Sequence, residues 1–351
     1  MKYRILKSHK LICISISLVM LLFLLTGCSK QPQKLTMADT AMGTVVQETL
    51  YVTDMGQGQE AARELLAAIE QLEQESLSWR LETAEVAAVN AAAGSAEGVS
   101  LTEQMQADLE HIWQVSEKSG GALDVTVGEV TRLWDLDTWA VADGAVQESF
   151  RLPDAVWLRQ VLNNTGYEKV TLVGNKIYLP KDMSLDLGAV GKGIACDRIG
   201  DYLVTREEIT GAVVSVGGSI VTYGSKPDGG KWNVAIMHPR EEGTYLGTLS
   251  LQGEWYVATS GDYERYVEKD GVRYHHIMNP ETGYPANSGV CSVTILSDSG
   301  LLSDALSTAC FVLGVEEGMK LAKEFGAEAL FVTQKLEIFM TEGMERYFGE
   351  A

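Results

Sequence analysis

AVVSVGGSIVTYG, residues 212–224, reads as two runs of β-branched residues joined at a glycine turn, the pattern of two neighbouring strands. Similar runs stand on both sides of it: KVTLV (169–173), KIYLP (176–180), KWNVAIM (231–237), GTLSL (247–251), WYVAT (255–259), VCSVTIL (290–296), EALFV (328–332) and LEIFM (336–340). Upstream, TVVQETLYV (44–52) predicts another strand. QEAARELLAAIEQLEQESL (59–77) then places Ala62, Leu65, Leu66, Ile69 and Leu72 at helical spacing with charges on the opposite face. Helices are also predicted near 101–118, 190–206, 302–313 and 315–325. Strands outnumber helices and neighbour one another without a regular βαβ alternation. That predicts an α+β fold of mixed, largely antiparallel sheets with packed helices. No repeat and no low-complexity break follows the polar stretch SKQPQKLT (29–36), so one body is expected.

The amino terminus reads as an address. Lys2, Arg4, Lys7 and Lys10 precede the apolar run LICISISLVMLLFLL (11–25), which closes on Leu25-Thr26-Gly27-Cys28. This predicts a lipoprotein signal over residues 1–27, a lipidated Cys28 and tether over 28–40, and a catalytic domain over 41–351. It further predicts attachment to the cell membrane through Cys28, on the extracytoplasmic face. A plain membrane helix is the other reading, although the run of 15 residues falls short of the roughly 20 that span hydrocarbon.

The formal charge is −20, and no Lys/Arg patch follows Cys28, which argues against a nucleic-acid partner. Any anionic ligand must therefore be held by local features against a repulsive field. Cys196, Cys291 and Cys310 lack CxxC spacing and imply no disulfide framework; Cys310, within TACFVLG, reads as a small buried hydrophobe.

Chemistry concentrates in three stretches. In SDALSTACFVLG (303–314), Asp304 and Thr308 are one helical turn apart and share a face. A carboxylate and a hydroxyl suit a hard cation such as Mg²⁺; the same spacing suits a helix cap and a packed threonine. In SLDLGAVGKGIACDRIG (184–200), Gly188, Gly191 and Gly193 surround Lys192 ahead of a helix, which suits a phosphate or simply a tight turn with a solvated lysine. The spacing is not that of a Walker A loop. In TSGDYERYVEKDGVRYHHIMNPETGYPA (259–286), alternation turns one of His275 and His276 inward and the other away, while Asp262 and Arg265 read as a surface or subunit ion pair. Met42 and Trp79 flank the first strand and helix, where a flat heterocycle could stack on Trp79 or both could pack in the core.

Taken in order, AMGT (41–44), LSWR (77–80), GGALDVTVGEV (120–130), DLGAVGKGIACDRI (186–199), SVGGSI (215–220), SGDYERY (260–266), HHIMNPETGYPA (275–286) and SDALSTACFVLG (303–314) resemble the ApbE family of FAD:protein FMN transferases. The resemblance implies an α+β body with a flavin cleft between two subdomains. It implies Mg²⁺-dependent transfer of the FMN half of FAD to a Thr or Ser of an exported or membrane flavoprotein with an FMN-binding domain, releasing AMP. On that resemblance Met42, Trp79, Ala122, Leu123, Asp124, Asp186, Lys192, His276 and Met278 contact FAD. The Ala189 carbonyl, Asp304 and Thr308 ligate Mg²⁺, Asp304 is catalytic, and His276 is the proton acceptor. Asn279 stands where the family usually has aspartate, and Ser215 and Ser219 stand where Asn and Asp or Asn are commoner. An FAD pyrophosphatase and a non-catalytic flavin-binding lipoprotein are the alternative readings.

Overall fold

The computed structural model describes residues 31–140 and 149–351; the signal segment and Cys28 lie outside the described residues. The chain opens with strands β1 (Gln33–Ala41) and β2 (Thr44–Val52), then α1 (Met55–Leu72), α2 (Glu85–Ala91), β3 (Val99–Ser100) and α3 (Glu103–Lys118). Next come α4 (Gly128–Trp134), α5 (Leu136–Ala140), α6 (Ala155–Asn163), β4 (Thr171–Val173), β5 (Lys176–Tyr178) and α7 (Gly191–Val204). Strands β6 (Ile209–Val216), β7 (Ser219–Gly224), β8 (Trp232–Met237), β9 (Tyr245–Leu251) and β10 (Trp255–Gly261) follow. The last third holds β11 (Tyr266–Lys269), β12 (Val272–His275), β13 (Val290–Ser297), α8 (Gly300–Leu313), α9 (Val315–Glu324), β14 (Glu328–Thr333), β15 (Ile338–Met340) and β16 (Phe348–Glu350).

The α+β expectation holds. Eight strands form one sheet in the order β1-β2-β6-β7-β10-β13-β14-β15, and every ladder in it is antiparallel. The two runs around the 217–218 turn pair as β6 and β7, with Val216 opposite Ser219. Gly217 has φ +57, and a Cβ there would lie 2.6 Å from the Thr44 hydroxyl, so only glycine fits the corner. Every residue of β13 is buried, because Val293 and Ile295 meet α8 residues while Cys291 and Leu296 meet the small β8–β9–β16 sheet on the other face. Helices α1 and α7 close the other half of the helix side over Leu50, Val52, Ala212 and Val214.

The structure corrects the tether. Strand β1 begins at Gln33, inside the segment expected to be unstructured, and is held by main-chain pairing with β2 along its whole length. Most of its side chains are exposed on a sheet edge, so no apolar alternation announces it. At its far end the two-residue turn to β2 puts Met42 at φ +52 and Gly43 at φ +67. A turn with both central residues in the left-handed region matches hairpin twist, and the non-glycine Met42 carries strain there.

Glu48 of β2 points into the core with Leu50 and Val52, is only 4% exposed, and has one carboxylate oxygen without a hydrogen-bond partner among the described residues. Burial pushes its pKa from 4.5 up to about 7. The folded state therefore favours the protonated acid. Its penalty is absent below about pH 4.5, grows as pH rises toward 7, and is complete above that. Glu48→Gln is accordingly expected to leave stability nearly unchanged at pH 4 and to raise it by on the order of 3 kcal/mol at pH 8. Urea unfolding at both pH values reads the difference, and an equal effect at the two would contradict it.

Candidate active site

A cleft of about 320 Å³ forms where the β1–β2 turn, the end of α1, the start of α7, the β10–β11 connection, the segment after β12 and helix α8 converge. Met42, Trp79, Ala122, Leu123, Asp124, Asp186, Ala189, Lys192, His276, Met278, Asp304 and Thr308 all line it. The sequence-predicted site residues are thus brought together from widely separated parts of the chain.

Its floor is set by the crossing of α7 and α8. Asp197 of α7 accepts the amides of Gly300 (2.5 Å) and Leu301 (2.8 Å) at the start of α8, satisfying amides that a helix end leaves free. Gly193 lies so close that a Cβ would fall 2.2 Å from the Gly300 carbonyl and 2.8 Å from Asp304 Cβ. Asp304 is 4% exposed. Its Oδ1 accepts from Ser219 Oγ (2.7 Å), its Oδ2 accepts from the Gly193 amide (2.6 Å), and Lys192 Nζ stands 3.9 Å from Oδ2. Thr308 follows one turn later, its hydroxyl 3.3 Å from Ser260 Oγ. Among the described residues no group of three or more His, Cys, Asp or Glu could hold a metal. One buried carboxylate, a hydroxyl and the Ala189 segment form an all-oxygen set that fits Mg²⁺, which takes few protein carboxylates and keeps its other positions for water and phosphate.

Two other aspartates brace the loops that carry the site. Asp186 accepts the Gly188 amide (2.9 Å) and the Thr131 hydroxyl (2.8 Å), fixing the bend from which Ala189 and Lys192 emerge. Asp124 accepts the Thr126 amide (2.8 Å) and hydroxyl (2.6 Å) and the Tyr167 amide (2.9 Å). Burial raises its carboxyl above the usual range, and those three hydrogen bonds oppose the rise.

The adjacent histidines divide as alternation predicts. His275 is buried at the end of β12, where Nδ1 accepts the Ile277 amide (3.3 Å) and Nε2 therefore donates to the Ala286 carbonyl (3.0 Å). His276 lines the cleft, and its Nδ1 lies 3.3 Å from the Arg265 carbonyl. A carbonyl only accepts, so Nδ1 carries the proton and Nε2 keeps its lone pair. Burial, with the charges of Arg265 and Lys192, pushes the His276 pKa well below 6.5 and keeps the ring neutral. Asn279 is used in its own turn, Oδ1 accepting the Glu281 (2.9 Å) and Thr282 (3.3 Å) amides.

Asp262 and Arg265 do not pair with each other, contrary to the sequence reading. Asp262 is buried and takes a two-pronged bond from Arg240 (2.7 and 2.8 Å) plus one from Gln334 (2.9 Å). Arg265 instead reaches Asp137 of α5 (2.7 Å), which also accepts from Arg80 (2.6 Å). Burial acts to raise the Asp137 carboxyl, but the two arginines more than offset it and hold it below the usual range.

Two guanidinium groups lie over the Trp79 ring, Arg80 at 4.2 Å and Arg132 at 4.6 Å from its centre. Helix α1 runs into a π-helical turn, Glu73–Leu77, and Glu73 Oε2 accepts the amide of strained Met42 (2.9 Å). Such turns recur at functional sites because the extra residue re-aims the side chains that follow. Arg80, Arg132, Arg265 and Glu264 also line the cleft, although the sequence pattern assigned none of them a part in the site. Burial raises the Glu264 carboxyl above the usual range, against the opposing pull of Lys192 and Arg265. The LSWR and SGDYERY segments hold three of these residues, so their placement in those motifs was the available signal.

Comparison with known proteins agrees with this geometry. Residues 42–331 match the model of the ApbE family. An FAD:protein FMN transferase of Treponema pallidum is 36% identical over 314 residues, covering 84% of this chain and 83% of the relative. One from Vibrio cholerae is 32% identical over 311 residues, covering 86% and 88% respectively. Among solved structures, the ApbE protein of Thermotoga maritima superposes with a TM-score of 0.79 at 30% identity, covering 91% of this chain and all of the other. The flavin transferase ApbE of Vibrio cholerae gives a TM-score of 0.76 at 27% identity, covering 90% of this chain and 99% of that one.

Proposed function

This chain belongs to the ApbE family, and on that footing we propose that it is an FAD:protein FMN transferase whose transfer step takes place in the cleft between Trp79 and α8. The observation that carries the reading is the meeting, in one cleft, of Met42 and Trp79 with the oxygen set of α8 and with Lys192. One group suits a flat ring and the other a pyrophosphate.

Asp304, Thr308 and the Ala189 carbonyl would hold Mg²⁺, which supplies charge neutralisation at the pyrophosphate of FAD. Lys192 adds a local positive charge in a protein of formal charge −20. The acceptor is a Thr or Ser hydroxyl of an exported or membrane flavoprotein. Its oxygen forms a bond to the FMN-side phosphorus while the anhydride bond to AMP breaks and AMP leaves with the electron pair. His276 Nε2 takes the hydroxyl proton, as its neutral state and fixed tautomer allow. Trp79 and Met42 hold the flavin so that the phosphorus stays near the hydroxyl.

The test is AMP release from FAD and Mg²⁺ with and without an FMN-binding domain. The transferase reading expects AMP to appear only with the acceptor and without free FMN. AMP and free FMN in equal amounts without acceptor would make this a pyrophosphatase, and intact FAD would make it a flavin-binding protein.

The same reading places the enzyme on the extracytoplasmic face of the cell membrane, held by lipid on Cys28; its support is the sequence of residues 1–28. Cys28→Ser is expected to move the protein from the membrane fraction to the soluble fraction. Unchanged membrane retention would instead favour an uncleaved amino-terminal helix.

A further inference from the structure

We propose that three serines, the buried Ser219 and Ser307 and the half-buried Ser260 on the cleft wall, are positioning residues that set the protons around Asp304 and Thr308 so that both present oxygen lone pairs, and no hydrogen, to a cation in the cleft. The inference rests on the Mg²⁺ reading above and concerns which way each hydroxyl points.

The directions follow from what each group can do. A main-chain carbonyl only accepts, so Ser307 Oγ donates its single proton to the Asp304 carbonyl (2.9 Å). The 2.7 Å contact between Ser260 and Ser307 must then have Ser260 as donor. With that proton used, the 3.3 Å contact between Ser260 and Thr308 must have Thr308 as donor. The chain of hydroxyls runs one way, from Thr308 through Ser260 and Ser307 to the carbonyl. It turns the Thr308 proton toward the sheet and leaves its lone pairs free. Ser219 completes the arrangement by donating to Asp304 Oδ1 while the Gly193 amide donates to Oδ2. Each carboxylate oxygen is thereby oriented and retains a further lone pair.

The sheet places the two strand serines for this task. Ser219 of β7 pairs with Ala258 of β10, and Ser260 lies two residues further along β10, so all three share the face that packs under α8. Ser219 and Ser307 are 2% and 1% exposed. Neither lines the cleft, so each acts only through its partner. Hydroxyls buried at a helix–sheet contact carry a desolvation penalty that alanine would avoid. Their complete and directional bonding is what outer hydrogen bonds of a metal site provide, where loss of one typically weakens metal binding by about 10–100-fold.

The experiment is Mn²⁺ binding to the full-length protein in detergent, followed by the electron paramagnetic resonance signal of free Mn²⁺, without FAD. Ser219→Ala and Ser307→Ala are each expected to weaken binding by about tenfold or more. Ser219→Thr, which keeps the hydroxyl, should stay within about threefold of the unsubstituted protein, with little change in melting temperature for any variant. Near-normal Mn²⁺ affinity in both alanine variants would overturn the inference, as would a threonine variant as weak as the alanine one. Asp304→Asn serves as the control: if it also bound Mn²⁺ normally, the metal reading itself would fall and this inference with it.

Discussion

Asp304→Asn is expected to lower kcat for FMN transfer by roughly 10³-fold or more while leaving the fold intact, the equivalent of about 4 kcal/mol in the barrier. The separation of the two effects follows from the surroundings of the side chain. Ser219 and the Gly193 amide both donate to Asp304, and an asparagine of the same shape keeps an oxygen for the amide and offers its NH₂ to the rotatable serine hydroxyl. Stability should therefore change by about 1 kcal/mol, the scale of one altered hydrogen bond. The lost charge has no substitute on α8, whose only carboxylate is Asp304. A thermal melt together with steady-state kinetics separates the outcomes. Near-normal turnover in Mg²⁺ buffer would remove Asp304 from the site chemistry.

His276→Ala is expected to cost on the order of 10²–10⁴-fold in kcat, the usual range for a lost general base. Its pH behaviour gives the sharper signature. The base must be unprotonated, and burial together with Arg265 and Lys192 holds its pKa well below 6.5. Activity should thus be level from pH 8 down through 6.5 and fall only at lower pH, where the ring gains a proton. Arg265→Gln removes one of the charges that depress the ring, so the acidic limb should move upward toward 6.5. A limb at the ordinary histidine value in the parent, or no movement in the Arg265 variant, would assign the proton to another group.

Local patterns were legible where the signal lay within one element. The β6–β7 hairpin followed from β-branched runs around Gly217-Gly218, and the shared face of Asp304 and Thr308 followed from helical spacing. Chain segments that make their contacts through the main chain left little trace. Strand β1 is polar, edge-lying and mostly exposed, so its first residues read as tether. Long-range charge pairing was equally hidden. Asp262 and Arg265 are three apart in sequence, yet the fold gives them to Arg240 and Asp137 respectively. Ser219 is the most instructive case, since it departs from the residues commonest in the family and still makes the hydrogen bond that holds the α8 carboxylate. Whether a serine there reaches Asp304 depends on how β7 and α8 are spaced, and no local pattern encodes that distance.

The measurement that bears most directly on the central claim is the intact mass of an FMN-binding acceptor domain after incubation with this protein, FAD and Mg²⁺. The account predicts a gain of one FMN less one water on the acceptor, lost when Mg²⁺ is chelated and when the acceptor hydroxyl is removed. An unchanged acceptor mass alongside consumed FAD would contradict it.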